Sequence, residues 1–123
     1  MRSVLVVEDE PDLRQVLSEL LREEGFAVTE AVDGVEALAR CGEARVPELV
    51  VLDLMLPRLD GFEFIAAVRK RGLAMPIIAM SASSEHLRTA QGLGIVAALH
   101  KPFLLETLLA EVQRELGAGS ADG

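Results

Sequence analysis

Apolar and polar positions follow two different spacings in alternating segments of the chain. Runs of four consecutive apolar residues, as at 4–7 and 49–52, are typical of strands that are buried on both faces of a sheet. Between such runs, apolar residues return every three or four positions, as at Leu13, Leu17 and Leu21, which is the spacing of one helix face. The whole pattern predicts five strands alternating with five helices. Such alternation favours an α/β fold in which helices cover both faces of a parallel sheet.

The pattern also places each element on the chain. The strands are predicted at residues 4–7, 26–30, 49–52, 76–80 and 95–99. The helices are predicted from Pro11 to just before Gly25, at 33–41, from the capping residue Asp60 through Val68, at 84–91 and at 105–116. The positions expected to face the core are Val35, Leu38 and Ala39 in the second helix, and Phe62, Ile65, Ala66 and Val68 in the third.

Length and composition indicate one domain with a single core. The chain has 123 residues, and half of them are hydrophobic, which argues against intrinsic disorder. We expect the domain to span residues 1–116. Residues 117–123 are small or polar and are expected to form a flexible tail or the start of a linker.

Charge and cysteine content narrow the class of protein further. The net charge of −8 argues against direct binding of nucleic acid or of an anionic membrane by this chain. The single cysteine, Cys41, cannot form an internal disulfide, which favours a reducing compartment. The apolar runs are also shorter than the ~20 residues of a membrane-spanning helix. These features predict a cytoplasmic protein.

Polar side chains follow four of the five predicted strands, at or near the point where each strand ends. Glu8 and Asp9 come after the first strand, Asp53 after the third, Ser81 after the fourth and Lys101 shortly after the fifth. Ligands of open α/β sheets bind beyond the carboxyl ends of the strands. We therefore expect three carboxylates, one hydroxyl and one ammonium to gather at one edge of the sheet.

This set of groups suits metal-assisted phosphoryl chemistry. Three neighbouring carboxylates repel one another unless one is protonated or a cation lies between them, and oxygen ligands suit Mg²⁺. A carboxylate beside Mg²⁺ can accept a phosphoryl group, whose oxygens a lysine and a hydroxyl would bind. Taken singly, each residue also has a structural explanation. The acidic residues and Ser81 could cap turns or helices, and Lys101 could be a solvated surface residue.

Four segments of the chain resemble the response-regulator receiver domain. They are VVED at 6–9, LDLMLP at 52–57 followed by Asp-Gly at 60–61, MSA at 80–82 and KPF at 101–103. The resemblance extends from about residue 3 to residue 116. It implies a three-layer flavodoxin-like (βα)5 fold whose five parallel strands lie in the order 2-1-3-4-5.

The resemblance also implies a function for the acidic residues. Asp53 would accept a phosphoryl group from a phosphohistidine on a sensor histidine kinase or a phosphotransfer protein. Glu8, Asp9, Asp53 and the backbone carbonyl of Met55 would hold the Mg²⁺ ion on which this reaction depends. Glu8 stands where many members of the family carry aspartate, a common variation that should preserve metal binding.

The remaining motif residues would bind the phosphoryl group and pass the signal on. By the same resemblance, Ser81 would hydrogen-bond one phosphoryl oxygen and Lys101 would pair with another. The peptide bond between Lys101 and Pro102 would be cis. The phosphorylated state would shift the loop after the fourth strand and change the binding of an output protein or domain.

Ala98 departs from the family pattern and keeps a second function open. The family usually carries Tyr or Phe three residues before the lysine of the fifth strand, where this chain has alanine. The alternative is therefore a receiver-like adaptor that acts without phosphorylation. A Mg²⁺-dependent phosphohydrolase is a third possibility, but the sequence shows no second general acid–base residue for it.

Overall fold

Five parallel strands form one sheet at the centre of the molecule. The computed structural model describes residues 2–42 and 46–119. In chain order the elements are β1 (Ser3–Val7), α1 (Pro11–Glu23), β2 (Ala27–Ala31), α2 (Gly34–Cys41), β3 (Leu49–Asp53), α3 (Gly61–Lys70), β4 (Ile77–Ser81), α4 (Ser84–Gln91), β5 (Ala97–His100) and α5 (Leu105–Leu116). The strands lie in the order β2-β1-β3-β4-β5. The predicted fold class and strand order are therefore confirmed.

Two apolar clusters lie on opposite faces of the sheet. Successive strand residues point to opposite faces, so Leu5 packs with α2, α3 and α4 whereas Val4 packs with α1 and α5. All five residues of β3 are buried for the same reason. Burial on both faces explains why the central strands are continuous apolar runs in the sequence.

The rotation of two helices differs from the prediction. In α2 the buried positions are Gly34, Ala37 and Cys41, whereas Val35 is 44% exposed. The reason is that the backbone of Gly34 lies close to the loop before α3. This contact places Gly34 on the buried side of the helix. Cys41, the last residue of α2, is buried.

In α3 one predicted core residue lies outside the core. Ala66 is exposed, and Phe64 takes the central position with Ile65 and Val68, while Phe62 is half-buried. Phenylalanine and isoleucine gain more from burial than alanine, so the larger side chains set the rotation of the helix.

The ends of two strands also differ from the prediction. β5 pairs with β4 from Ala97 onward, so the predicted start at residue 95 is two residues too early. β2 begins at Ala27, directly after the buried Phe26. Of the predicted tail, residues 120–123 lie outside the described residues, and Gly119 is buried against the backbone of Gly25. None of the described helices has the length and apolar content of a membrane span.

The start of α3 lies directly against the end of β3. A Cβ atom on Gly61 would lie 2.6 Å from Cα of Leu54 and 2.9 Å from the carbonyl oxygen of Asp53, so only glycine fits without a shift. Asp60 caps α3 as predicted, and it forms a capping box with Glu63. This packing fixes the loop after β3, which borders the predicted site.

Candidate functional site

The predicted site residues lie together at the carboxyl edge of the sheet. Glu8 and Asp9 follow β1, Asp53 ends β3, Ser81 ends β4, and Lys101 follows β5. Glu8, Asp9 and Asp53 each offer one carboxylate oxygen, and these oxygens lie within 4.8 Å of one another. The carboxylates thus form one cluster, although 44 residues separate Asp9 from Asp53 in the sequence.

The ammonium group of Lys101 joins two of these carboxylates. Its Nζ donates to Oε1 of Glu8 at 2.8 Å and to Oδ2 of Asp53 at 3.1 Å. The side chains of Glu8 and Asp53 are 1% and 5% exposed, whereas that of Lys101 is 22% exposed. Two buried carboxylates therefore share one partly accessible cation, and the third carboxylate, that of Asp9, adds further negative charge to the cluster.

Backbone amides hold the other oxygen of each buried carboxylate. Oδ1 of Asp53 accepts a hydrogen bond from the amide of Met55 at 2.9 Å. Oε2 of Glu8 accepts one from the amide of Glu10 at 3.2 Å. Both carboxylates are thus oriented by the chain itself, and the oxygens that face Lys101 are the ones that point into the cluster.

The protonation of Glu8 and Lys101 reflects this environment. Burial raises the pKa of Glu8 from 4.5 to about 7, the hydrogen bond from Lys101 opposes this increase, and the charge of Asp53 adds to it. For Lys101, burial lowers the pKa, but the hydrogen bonds to Glu8 and Asp53 outweigh burial and raise it. Lys101 is therefore a cation, and Glu8 titrates near neutral pH.

Ser81 and the segment around Pro102 complete the edge. Ser81 is buried, and its Oγ accepts a hydrogen bond from the amide of Ser83 at 3.0 Å. The amide of Lys101 donates to the carbonyl oxygen of Ser81 at 2.8 Å, which ties the ends of β4 and β5 together. The peptide bond between Lys101 and Pro102 is cis, as expected.

Ala98 lies on the face of β5 that is covered by α4. It is half-buried and packs against the apolar cluster to which Leu87 and Ala90 of α4 belong. Ala98 is opposite Ala79 in the neighbouring strand β4. The methyl groups of Ala79 and Ala98 thus lie side by side, and Ala79 is two residues before Ser81 on β4.

A cleft beside the carboxylates was not predicted from the sequence. It has a volume of about 510 Å³, and Asp9, Met55, Pro57, Phe62 and His86 are among the residues that line it. The rings of Phe62 and His86 meet edge to face, with centroids 5.7 Å apart. No sequence signal pairs these two rings, because they lie on α3 and α4 and meet only in the folded chain.

The chemistry of the donor set fits a hard divalent cation. Three carboxylates converge, two from the loop after β1 and one from the end of β3, with no histidine or cysteine among them. Such all-oxygen sets are preferred by Mg²⁺, which keeps several waters and needs few protein ligands. Asp9 is exposed, so an ion could reach the cluster from solvent.

Comparison with known proteins gives consistent matches over nearly the whole chain. The family profile described as the response regulator receiver domain matches residues 4–113. Response regulator MprA of Mycobacterium sp. (strain KMS) is 40% identical over 121 residues, covering 97% of this chain and 52% of that protein. Transcriptional regulatory protein PdtaR of Mycobacterium tuberculosis (strain ATCC 25618 / H37Rv) is 36% identical over 115 residues, covering 91% and 55%. This chain thus spans about half the length of these curated relatives.

Solved structures share the same fold over almost their full length. The chemotaxis protein CheY4 of Vibrio cholerae superposes with a TM-score of 0.84 at 37% identity, covering 94% of this chain and 98% of that one. Response regulator TrrA of Thermotoga maritima, in complex with Mg²⁺ and BeF, gives a TM-score of 0.83 at 32% identity, covering 93% and 98%. With its profile match and its fold in agreement, the chain belongs to the family of response regulator receiver domains.

Proposed function

We propose that this chain is a phosphorylatable receiver. Asp53 takes a phosphoryl group from a phosphohistidine of a sensor histidine kinase or a phosphotransfer protein. In this step the P–N bond to the histidine breaks, an O–P bond to the Asp53 carboxylate forms, and the imidazole leaves with a proton from solvent. The observation that carries the proposal is the contact of the Lys101 ammonium with the buried carboxylates of Glu8 and Asp53.

The acidic residues of the site and Met55 would bind the metal ion. Glu8, Asp9, Asp53 and the carbonyl of Met55 would hold Mg²⁺, which supplies positive charge for the incoming phosphoryl oxygens. The amide of Met55 keeps the Asp53 carboxylate in a fixed orientation.

Lys101 and Ser81 would bind the phosphoryl oxygens. The Lys101 ammonium already lies 3.1 Å from Asp53, so it is within reach of an oxygen of a phosphoryl group attached there. The Ser81 hydroxyl accepts from the Ser83 amide and still has its own hydrogen to donate to another phosphoryl oxygen. Because Ser83 is bonded to this hydroxyl, a rotation of Ser81 toward the phosphoryl group would move the start of the loop before α4.

The domain would act as a signalling module with no turnover of a separate substrate. Its excess negative charge disfavours direct contact with nucleic acid. If this domain belongs to a longer regulator that binds nucleic acid, we propose that another domain makes that contact. The output partner would read the state of the α4–β5 surface, where Ala98 lies.

Phosphorylation of the wild-type chain tests the proposal directly. We expect incubation with Mg²⁺ and a small acyl phosphate to add the mass of one phosphoryl group, and EDTA to prevent the addition. A beryllofluoride complex should also form and shift the amide NMR signals of the loop at Ser81. A chain that gains no mass and does not respond to beryllofluoride would instead be a phosphorylation-independent adaptor, as the alanine at position 98 allows.

Binding of Mg²⁺ should tighten as the pH rises through about 7. Glu8 must lose its proton before it can contact the ion, and its pKa is raised to about 7, so affinity should increase by up to about tenfold per pH unit below that value. Calorimetric titration between about pH 6 and pH 8 measures this change. The Glu8→Gln variant, which has no proton to lose, should show weak binding without this slope; a wild-type affinity that is constant over the range contradicts the prediction.

The raised pKa of Glu8 also predicts how the stability of the metal-free protein changes with pH. The folded state keeps a proton on Glu8 up to about pH 7, whereas the unfolded state releases it near 4.5. The free energy of unfolding should therefore decrease as the pH rises from about 4.5 to about 7, as far as Glu8 contributes. Urea titrations in EDTA measure this trend, and Mg²⁺, which binds the ionised carboxylate of the folded state, should counteract it as the pH approaches 7.

A further inference from the structure

The loop that carries Met55 rests on the N-terminus of α2 as well as on the sheet. We refer to residues 54–60 as the β3–α3 loop. Nε of Arg58 in this loop lies 3.4 Å from Oδ2 of Asp33, the residue that caps α2. The other oxygen of Asp33 accepts the capping hydrogen bond from the amide of Glu36 at 2.8 Å. One nearly buried carboxylate thus serves both the helix end and the loop.

The backbones of the loop and the helix also touch beside this ion pair. A Cβ atom on Gly34 would lie 2.7 Å from the carbonyl carbon of Leu59, a distance that no ordinary contact allows. The absence of a side chain at position 34 therefore lets the loop approach α2. Arg58, the residue before Leu59 in this loop, adopts a left-handed backbone conformation at φ 68°.

The opposite end of the loop is fixed at the carboxylate cluster. The Met55 amide donates to Asp53, and the Gly61 amide donates to the carbonyl oxygen of Leu54 at 3.1 Å. Between these two ends the amide of Leu59 donates to the carbonyl oxygen of Pro57 at 2.8 Å, which closes a tight turn. If this turn moved away from α2, Met55, which lies only a few residues away, would therefore move as well.

We propose that Asp33 and Arg58 are positioning residues for the metal site. Their ion pair holds the β3–α3 loop against α2, and this keeps Met55, whose amide donates to Asp53, beside the carboxylate cluster, where its carbonyl would contact a divalent cation. Neither residue touches the cluster itself. The inference rests on the proposed function, because it assigns the ligand set that this function requires.

The affinity for Mg²⁺ in two single variants and the double variant tests the proposal. Asp33→Asn removes the charge but keeps a good helix cap, and Arg58→Gln removes the opposite charge while keeping much of the side chain. We expect each single variant to weaken Mg²⁺ binding two- to fivefold in calorimetric titrations, the range suited to a partly exposed ion pair. The double variant should be no weaker than the weaker single variant, since both remove the same interaction.

The direction of the two effects separates positioning from simple charge. If the charges acted only through their electric field, loss of the Arg58 cation would tighten Mg²⁺ binding and loss of the Asp33 anion would weaken it. Opposite signs would therefore overturn the proposal, as would unchanged affinities. The titrations are run near 0.15 M salt, where fields are screened beyond about 8 Å. Arg114→Gln, which removes an exposed arginine paired with Glu111 on α5, is the matched control and should leave affinity unchanged.

Two further measurements keep the outcomes distinct. A lower melting temperature in EDTA with unchanged Mg²⁺ affinity would show a purely structural role and would overturn the proposal. Phosphorylation of the wild-type chain is measured in parallel. If the wild type gains no phosphoryl group although both single variants bind Mg²⁺ more weakly, the proposed function fails and the positioning role stands.

Discussion

Replacement of Asp53 by asparagine should abolish phosphorylation of the chain. The amide side chain has no nucleophilic carboxylate oxygen, yet it can still accept the hydrogen bond from the amide of Met55, so we expect the fold to be retained. Intact mass after incubation with Mg²⁺ and an acyl phosphate should increase for the wild type and stay constant for Asp53→Asn. Circular dichroism of the two proteins should be the same.

A matched control is available a few residues along the chain. Asp60 caps α3 through a hydrogen bond to the amide of Glu63, and asparagine is an equally good cap. Asp60→Asn should therefore be phosphorylated like the wild type. A phosphoryl adduct on Asp53→Asn would identify a different acceptor and contradict the proposed role of Asp53.

Replacement of Lys101 by methionine should have the second large effect, on stability as well as on phosphorylation. Without the ammonium group, the buried carboxylates of Glu8 and Asp53 face each other with no counter-charge. Removing one partner from a buried ion pair costs about 3 kcal/mol or more. We expect the Mg²⁺-free variant to lose about that amount of unfolding free energy in urea titrations above neutral pH, and phosphorylation to become undetectable.

The source of this loss can be checked in three ways. Acidic pH should reduce the difference from the wild type, because protonation of the carboxylates removes their repulsion. Mg²⁺ should stabilise Lys101→Met more than it stabilises the wild type, since it replaces the missing positive charge. Lys70→Met changes the chain's other lysine, which is exposed at the end of α3, and should leave stability unchanged. Equal losses in both lysine variants would contradict the assignment.

The order of strands and the location of the site could be predicted because both depend on short-range patterns. Apolar runs such as that at 49–52 mark strands buried on both faces, and the polar residue that follows such a run marks the edge of the sheet. The convergence of Glu8, Asp9 and Asp53 follows from these two rules. The contacts of Lys101 with Glu8 and Asp53 could not be predicted in this way, since the reach of a lysine depends on side-chain geometry.

Contacts between elements account for what the sequence did not reveal. The α2 helix contains several apolar residues, and periodicity alone favoured a face with Val35. The close approach of Gly34 to Leu59 instead turns Ala37 and Cys41 inward. The ion pair between Asp33 and Arg58 depends on the same approach. Neither residue stands out in the sequence, because a capping aspartate and a loop arginine are common on any surface.

The two hydrogen bonds of Lys101 join segments that lie far apart along the chain. They span 93 and 48 residues, to Glu8 and Asp53 respectively, so both require β5 to be docked beside β4 and the central strands. An amino-terminal folding intermediate that contains β1 and β3 without β5 would hold its acidic cluster without a counter-charge. Under the proposed function, only chains in which β5 is in place would carry the complete site for the phosphoryl group.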